Sequence, residues 1–189
     1  MLKTQKCVKE MMEALDLPLP NEERPGLVGL KLDLLRNLVS EEAGEYDTAM
    51  RVLQALKIVT EPGEPDPLVR PTVTTEIARR EEEKGEGGDE EVVARFRAMG
   101  DVEFYQAATI YWWAEVIDAI CDITFVIHNC SNAMGVDIEP FFDEVWRANM
   151  RKADGPLRED GKRLKPPGWK PPPIEEMLRN LLVTGEAKL

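Results

Sequence analysis

The sequence predicts an all-α fold, a helical bundle, from three observations. Two long stretches, near 27–59 and 104–132, carry apolar residues at alternating steps of four and three, with no proline inside either. Shorter stretches of the same period stand at both ends of the chain. No stretch alternates apolar and polar residues as a half-buried strand does. A length of 189 residues fits one domain, 1–189, with a core of its own.

Taken in order, residues 4–15 space Val8, Met11, Met12 and Leu15 as one helical face. LPLPNEERPG then supplies prolines and a glycine and reads as a loop. The second helix starts near Leu27 and runs to Val59, with Leu38, Glu42, Glu45, Ala49, Val52 and Leu56 on one stripe and Glu41 at its edge. Gly44 inside it costs about 1 kcal/mol of helix propensity against alanine, which a close approach by a helix or ligand would explain. Residues 61–92 change character: EPGEPDPLVRP predicts an extended loop, TVTTEIARREEE a turn or two of helix, and EEEKGEGGDEE a mobile, solvated run. This Pro-rich, acidic insertion reads as a surface addition, with a lid or partner contact as the functional alternative.

EEVVARFRAM resumes helical order, Gly100-Asp101 punctuates it, and the long helix follows. Its stripe is Phe104, Ala108, Tyr111, Glu115, Asp118, Asp122, Phe125 and Asn129. Ile110, Trp113, Ile117, Ile120, Ile123 and Ile127 flank the acids, so the helix is expected to lie buried between others. Gly135 is placed to end it, and Asp137 to cap a helix with Pro140 in its first turn. That helix presents Phe141, Phe142, Val145, Trp146 and Met150. A basic, proline-rich segment over 154–173 and a tail helix, Ile174–Leu182, complete the chain. Tyr111, Trp112, Trp113 and Trp146 are expected as core residues, although each can stack on a base.

Bulk properties exclude several classes. A net charge of −12 argues against nucleic acid or an anionic membrane as partner. No window approaches the ~20 apolar residues of a membrane span. The first residues, MLKTQKCVKEMMEAL, lack the apolar block of a signal peptide. An odd count of three cysteines with no CxxC suits a reducing, cytoplasmic setting.

The chemistry rests on the carboxylates. Burying like charges costs several kcal/mol per ion unless something cancels them. Two answers fit these residues: a hard divalent cation among the acids, or Lys and Arg of a neighbouring helix in a non-catalytic bundle. Because two helices repeat the anomaly, Glu42 and Glu45 can face Glu115 and Asp118 across one volume. With His128 as the single histidine, zinc and His-containing di-iron sites are disfavoured and Mg²⁺ or Mn²⁺ preferred. Clustered carboxylates without a nucleophilic triad point to phosphoryl or nucleotidyl hydrolysis. Arg147, Asn149, Arg151, Lys152 and Lys165 can hold phosphates, or can simply balance an acidic protein.

At these residues a family resemblance appears. LVSEEAGEY (Glu41, Glu42, Glu45) with AEVIDAICD (Glu115, Asp118) resembles the EExxE and ExxD motifs of the all-α nucleoside triphosphate pyrophosphohydrolases, the MazG-like and phosphoribosyl-ATP pyrophosphohydrolase-like superfamily. The ending FDEVWRANMRKADGPLREDGKRLKPPGW, and Leu35-Arg36 ahead of the first acids, are similar to its phosphoribosyl-ATP pyrophosphohydrolase-like branch. The likeness covers about residues 1–60 and 101–173. It implies that Glu42, Glu45, Glu115 and Asp118 ligate Mg²⁺, with Mn²⁺ able to substitute, and that Glu41 orients or deprotonates the attacking water. It implies substrate contacts at Asn149 and Lys152, with Arg36 and Lys165 expected beside them. Asp122 joins the metal set from its place on the stripe alone.

The implied reaction cuts a nucleoside triphosphate between its α and β phosphates; the branch includes viral and bacterial enzymes that trim deoxynucleotide pools, some acting on dATP and dGTP, so purine deoxynucleotides are the expected substrates by analogy. It implies a homodimer or dimer of dimers cored by the long helices, in a bacterial or virus-infected cytoplasm. The rivals are a phosphoribosyl-ATP pyrophosphohydrolase, a broad house-cleaning enzyme, and a non-catalytic dimerisation module. One departure stands out: residues 46–114 separate motifs that usually lie a short helical hairpin apart.

Overall fold

The computed structural model describes residues 3–14, 32–60, 67–84 and 90–185. Among them are seven helices and no strand: α1 (Lys3–Ala14), α2 (Leu32–Thr60), α3 (Val69–Glu83), α4 (Glu90–Ala98), α5 (Asp101–Ala133), α6 (Glu139–Met150) and α7 (Ile174–Thr184). The all-α expectation holds. The expected loop at 17–26, the start of the second helix at Leu27, and the runs EPGEPD and GEGGD lie outside the described residues. The chain divides into two compact units, Asp33–Thr124 and Met1–Leu32 with Phe125–Leu189.

In the unit Asp33–Thr124, α2 contributes Ala49, Val52 and Leu56 to the core, and α5 contributes Phe104, Ala108, Trp112 and Val116. The segment expected to hold a turn or two of surface helix is instead α3, fifteen residues long. Its Val73 and Ile77 are fully buried in that same core, so it is no surface addition. The apolar stripe is thin, Val69, Val73 and Ile77 followed by Glu81, which is why its period is hard to read against loop-like threonines. Pro71 sits in the first turn, where its missing N–H costs nothing. Arg70 fastens the start of α3 by donating to the Met99 carbonyl and to Asp101, with its guanidinium over the Phe104 ring. α3 also packs against α4, whose Phe96 meets Phe104 and Tyr111 edge to face.

The expectation that α5 is buried on every side is not met within one chain. Trp112 is fully buried, but Ile110 is 72% exposed, Trp113 57%, Ile117 53% and Ile120 44%. These four follow one another at steps of three and four, a single apolar stripe left exposed among the described residues. Trp146, also expected in the core, is exposed, together with Phe142 and Met150 on α6.

In the other unit, α1 buries Gln5, Val8 and Met12. The Gln5 amide donates to Ser131 Oγ (3.1 Å) and to the Val136 carbonyl (2.7 Å), and its own backbone carbonyl accepts from the Asn132 amide. Beside it, His128 Nε2 lies 2.8 Å from Thr4 Oγ1. α5 ends as expected at Gly135, whose φ of 70° lets the chain turn while its N–H reaches the Asn132 carbonyl. Asp137 Oδ1 accepts from the Glu139 N–H at the start of α6. α6 packs on α7, and Trp169 of the C-terminal segment donates its indole N–H to the Ala148 carbonyl (2.8 Å). Gly155 is required where it stands, since a Cβ there would lie 1.9 Å from the Leu164 carbonyl oxygen.

Candidate active site

Two helices bring acids to one side of the unit Asp33–Thr124, and a third brings the cations. Glu115 is buried, with Glu42 and Glu45 half-buried and Glu41, Asp118 and Asp122 exposed. A cavity of about 540 Å³ opens between Glu41, Gly44, Glu45 and Thr48 of α2, Arg79, Arg80 and Glu83 of α3, and Trp112 and Glu115 of α5. Gly44 lines this space, and a Cβ there would meet nothing within 4 Å, so the close approach expected at this glycine is not found.

Arg80 joins the two acidic helices. Its Nη2 donates to Glu45 Oε2 at 2.6 Å and its Nε to Glu115 Oε2 at 2.5 Å. One turn on, Lys84 donates to the other oxygen of Glu115 (2.7 Å) and to Glu81 (3.0 Å). Buried Glu81 also accepts from the Tyr111 hydroxyl at 2.5 Å. Burial, then this bond and the nearby Glu115 charge, push the Tyr111 hydroxyl well above its ordinary range, so it stays a donor. Burial opposes the Arg80 charge, but its bonds to Glu45 and Glu115 hold the guanidinium protonated beyond its usual range.

The remaining acids lack such a bond, and Arg80 acts on Glu42 and Asp122 through its charge alone. No Lys or Arg among the described residues forms an ion pair with Glu42, Asp118 or Asp122. Burial and the charges of Asp122, Glu45 and Glu41 raise the Glu42 carboxyl above its ordinary value. Burial and the charges of Asp118 and Glu45 do the same to Asp122. Each is raised in part by a carboxylate of the opposite helix, so α2 and α5 share one field of negative charge.

That donor set fits a hard divalent cation by its chemistry, being all carboxylate and short of positive charge. No three of the described carboxylates are set as ligands around one point, because Glu45 and Glu115 turn to Arg80. Sequence reasoning anticipated both acidic helices but missed Arg80 and Lys84. Their signal was the spacing of Arg80 and Lys84 by one helical turn, on the face that also carries Val73 and Ile77.

The expected substrate residues fall in two places. Arg36 is exposed on α2, 3.6 Å from Asp33. Asn149, Lys152 and Lys165 belong to the other unit, where the structure gathers them: Lys152 donates to Asn149 Oδ1 (2.7 Å), and the ammonium groups of Lys152 and Lys165 lie over the Trp169 ring at 5.3 and 4.4 Å.

The family model for phosphoribosyl-ATP pyrophosphohydrolase matches residues 8–149, most of the chain and both acidic motifs. The chain belongs to the phosphoribosyl-ATP pyrophosphohydrolase family. Membership makes it a pyrophosphohydrolase of the MazG-like superfamily, a hydrolase of acid anhydrides with a nucleotide substrate. No curated protein matches it. The family match spans α3 as well as α2 and α5, and stops at Asn149, before Lys152 and Lys165. No helix among the described residues is long and apolar enough to cross a membrane.

Proposed function

We propose that this pyrophosphohydrolase cleaves nucleoside triphosphates between the α and β phosphates, giving a nucleoside monophosphate and pyrophosphate, with purine deoxynucleotides such as dATP and dGTP preferred. The observation that carries the reading is the shared negative field of α2 and α5, in which neither Glu42 nor Asp122 has an ion-pair partner among the described residues and the nearby Arg80 charge does not offset burial and the other carboxylates. Glu42, Glu45, Glu115 and Asp118 would hold Mg²⁺, or Mn²⁺ in its stead, with Asp122 available to a further ion. Bound there, the metal neutralises phosphate oxygens and lowers the pKa of a water. Glu41, exposed at the mouth of the cavity, orients that water and accepts its proton at a carboxylate oxygen. Asn149, Lys152 and Lys165, gathered on Trp169, offer neutral and cationic donors to a phosphate tail or sugar, and Arg36 a further guanidinium.

A second copy of the chain completes the protein in this reading. The exposed stripe of Ile110, Trp113, Ile117 and Ile120 is of the kind that associating helices bury, which favours a homodimer or a dimer of dimers. A sedimentation mass of one chain would remove that part. The family's own name supports a second reading of the substrate, phosphoribosyl-ATP.

The test is a panel of nucleoside triphosphates and phosphoribosyl-ATP with Mg²⁺, scored for pyrophosphate against orthophosphate. Release of pyrophosphate is expected, fastest from dATP or dGTP, with Glu41→Gln slower by about 10²–10⁴-fold. Release of orthophosphate alone contradicts α–β cleavage.

A further inference from the structure

Arg80 is poorly explained as a structural ion pair. Its side chain is 13% exposed and comes from α3, inside the stretch that sets the two acidic motifs apart. A guanidinium carries five N–H donors in a rigid fork suited to carboxylate and phosphate alike. Here only Nε and Nη2 are engaged, on Glu115 and Glu45, while the residue lines the cavity. Those two carboxylates belong to the set proposed above to hold the divalent cation. Arg79, which lines the same cavity, is committed to Glu76 and Glu83 of its own helix.

Two further observations point into this space. Trp112, 1% exposed and lining the cavity, keeps a buried indole N–H with no acceptor among the described residues. The cavity volume of about 540 Å³ lies in the range that takes a small-molecule ligand. A polyanion entering between Glu41, Glu45, Glu83 and Glu115 meets repulsion unless a cation turns to it.

We propose that Arg80 is a substrate-binding residue of this site: its guanidinium neutralises Glu45 and Glu115 in the metal-free protein, and passes to the nucleotide's phosphates once a divalent cation takes those carboxylates. The inference rests on the hydrolase reading above and adds a residue to it. It makes Arg80 and the metal competitors for the same oxygens, while Arg80 and the nucleotide are partners. Loss of Arg80 therefore moves the two affinities in opposite directions, which no purely structural salt bridge does. Lys84, still on Glu115, keeps that buried carboxylate from standing alone in the variant.

The experiment titrates Mg²⁺ into wild type, Arg80→Ala and Arg80→Lys by calorimetry without nucleotide, and then measures KM and kcat for the nucleotide that wild type turns over best. Helical content by circular dichroism is checked first. In Arg80→Ala, Mg²⁺ is expected to bind about tenfold tighter and KM to rise about tenfold or more. Arg80→Lys keeps the charge but not the fork, so its KM rises while its Mg²⁺ affinity stays near wild type. If Arg80→Ala does not fold, the KM of Arg80→Lys decides. Unchanged or weaker Mg²⁺ binding in Arg80→Ala, or an unchanged KM in either variant, overturns the role of Arg80 and leaves the hydrolase reading standing. A wild-type protein that neither binds Mg²⁺ nor releases pyrophosphate removes both.

Discussion

The two compact units bury polar groups in opposite ways. In one, Gln5, Ser131 and Asn132 are all nearly inaccessible, and every bond among them is between neutral groups. The network closes on itself: the Gln5 amide reaches a hydroxyl and a carbonyl, and Asn132 reaches the Gln5 backbone. In the other, Glu45 and Glu115 are held by cations from α3, while Glu42 and Asp122 have no ion pair among the described residues and are raised by burial and neighbouring carboxylates more than the Arg80 charge lowers them. A neutral network rigidifies a fold, and here the one buried polar atom it leaves unpaired, His128 Nδ1, is uncharged. An open charged one stores repulsion that a ligand can relieve. The contrast sets the first apart as architecture and the second as the candidate site.

The comparison breaks most sharply if α3 is not integral to the charged unit. Ile77 is fully buried among residues of α2, α4 and α5, so Ile77→Ala is expected to cost about 2–5 kcal/mol in urea unfolding. It should also loosen Arg80, one turn away, and lower turnover in the folded fraction. A loss below about 0.5 kcal/mol, the size of an ordinary surface change, would return α3 to the status of a surface addition.

A smaller effect belongs to the neutral network. Gln5→Ala removes the donor to buried Ser131 Oγ and to the part-buried Val136 carbonyl, at about 1–3 kcal/mol. Nothing in the network titrates near neutrality except His128, whose burial depresses its proton affinity. The loss is therefore expected to be the same at pH 7 and pH 8, and pyrophosphohydrolase kinetics per folded molecule should not change. A change in kcat would mean that the network serves the chemistry.

How far the sequence alone could see follows from the same contrast. The acidic stripes of α2 and α5 were legible because glutamate where the period demands leucine is a violation that stands out in one dimension. α3 was not, because three large apolar residues in fifteen, Val69, Val73 and Ile77, give a weak periodic signal, and its part in the site depends on Arg80 and Lys84 meeting acids distant in the chain. The exposed stripe on α5 was read as buried because periodicity reports that a face is apolar, not which molecule covers it. Likewise Asn149, Lys152 and Lys165 could be named from motif order, while their gathering on Trp169 required the fold.

The smallest effect carries the most diagnostic sign. Glu42 has its carboxyl raised by burial and by Asp122, Glu45 and Glu41, so the native protein binds its proton more tightly than the unfolded chain does. Between the unfolded and the raised native value, stability falls as pH rises, and at neutral pH the charged Glu42 is a liability to the metal-free fold. Glu42→Gln is then expected to raise the melting temperature of the metal-free protein at pH 7. The gain should shrink as pH is lowered through the raised Glu42 value, where wild type protonates and relieves itself. With Mg²⁺ present the order should reverse, because wild type gains the stability of a bound ligand and the variant loses one of its oxygens. Gln5→Ala can show neither the gain nor the reversal. A Glu42→Gln protein less stable than wild type without metal would mean that Glu42 is satisfied in the fold, and the charged unit would then be architecture as well.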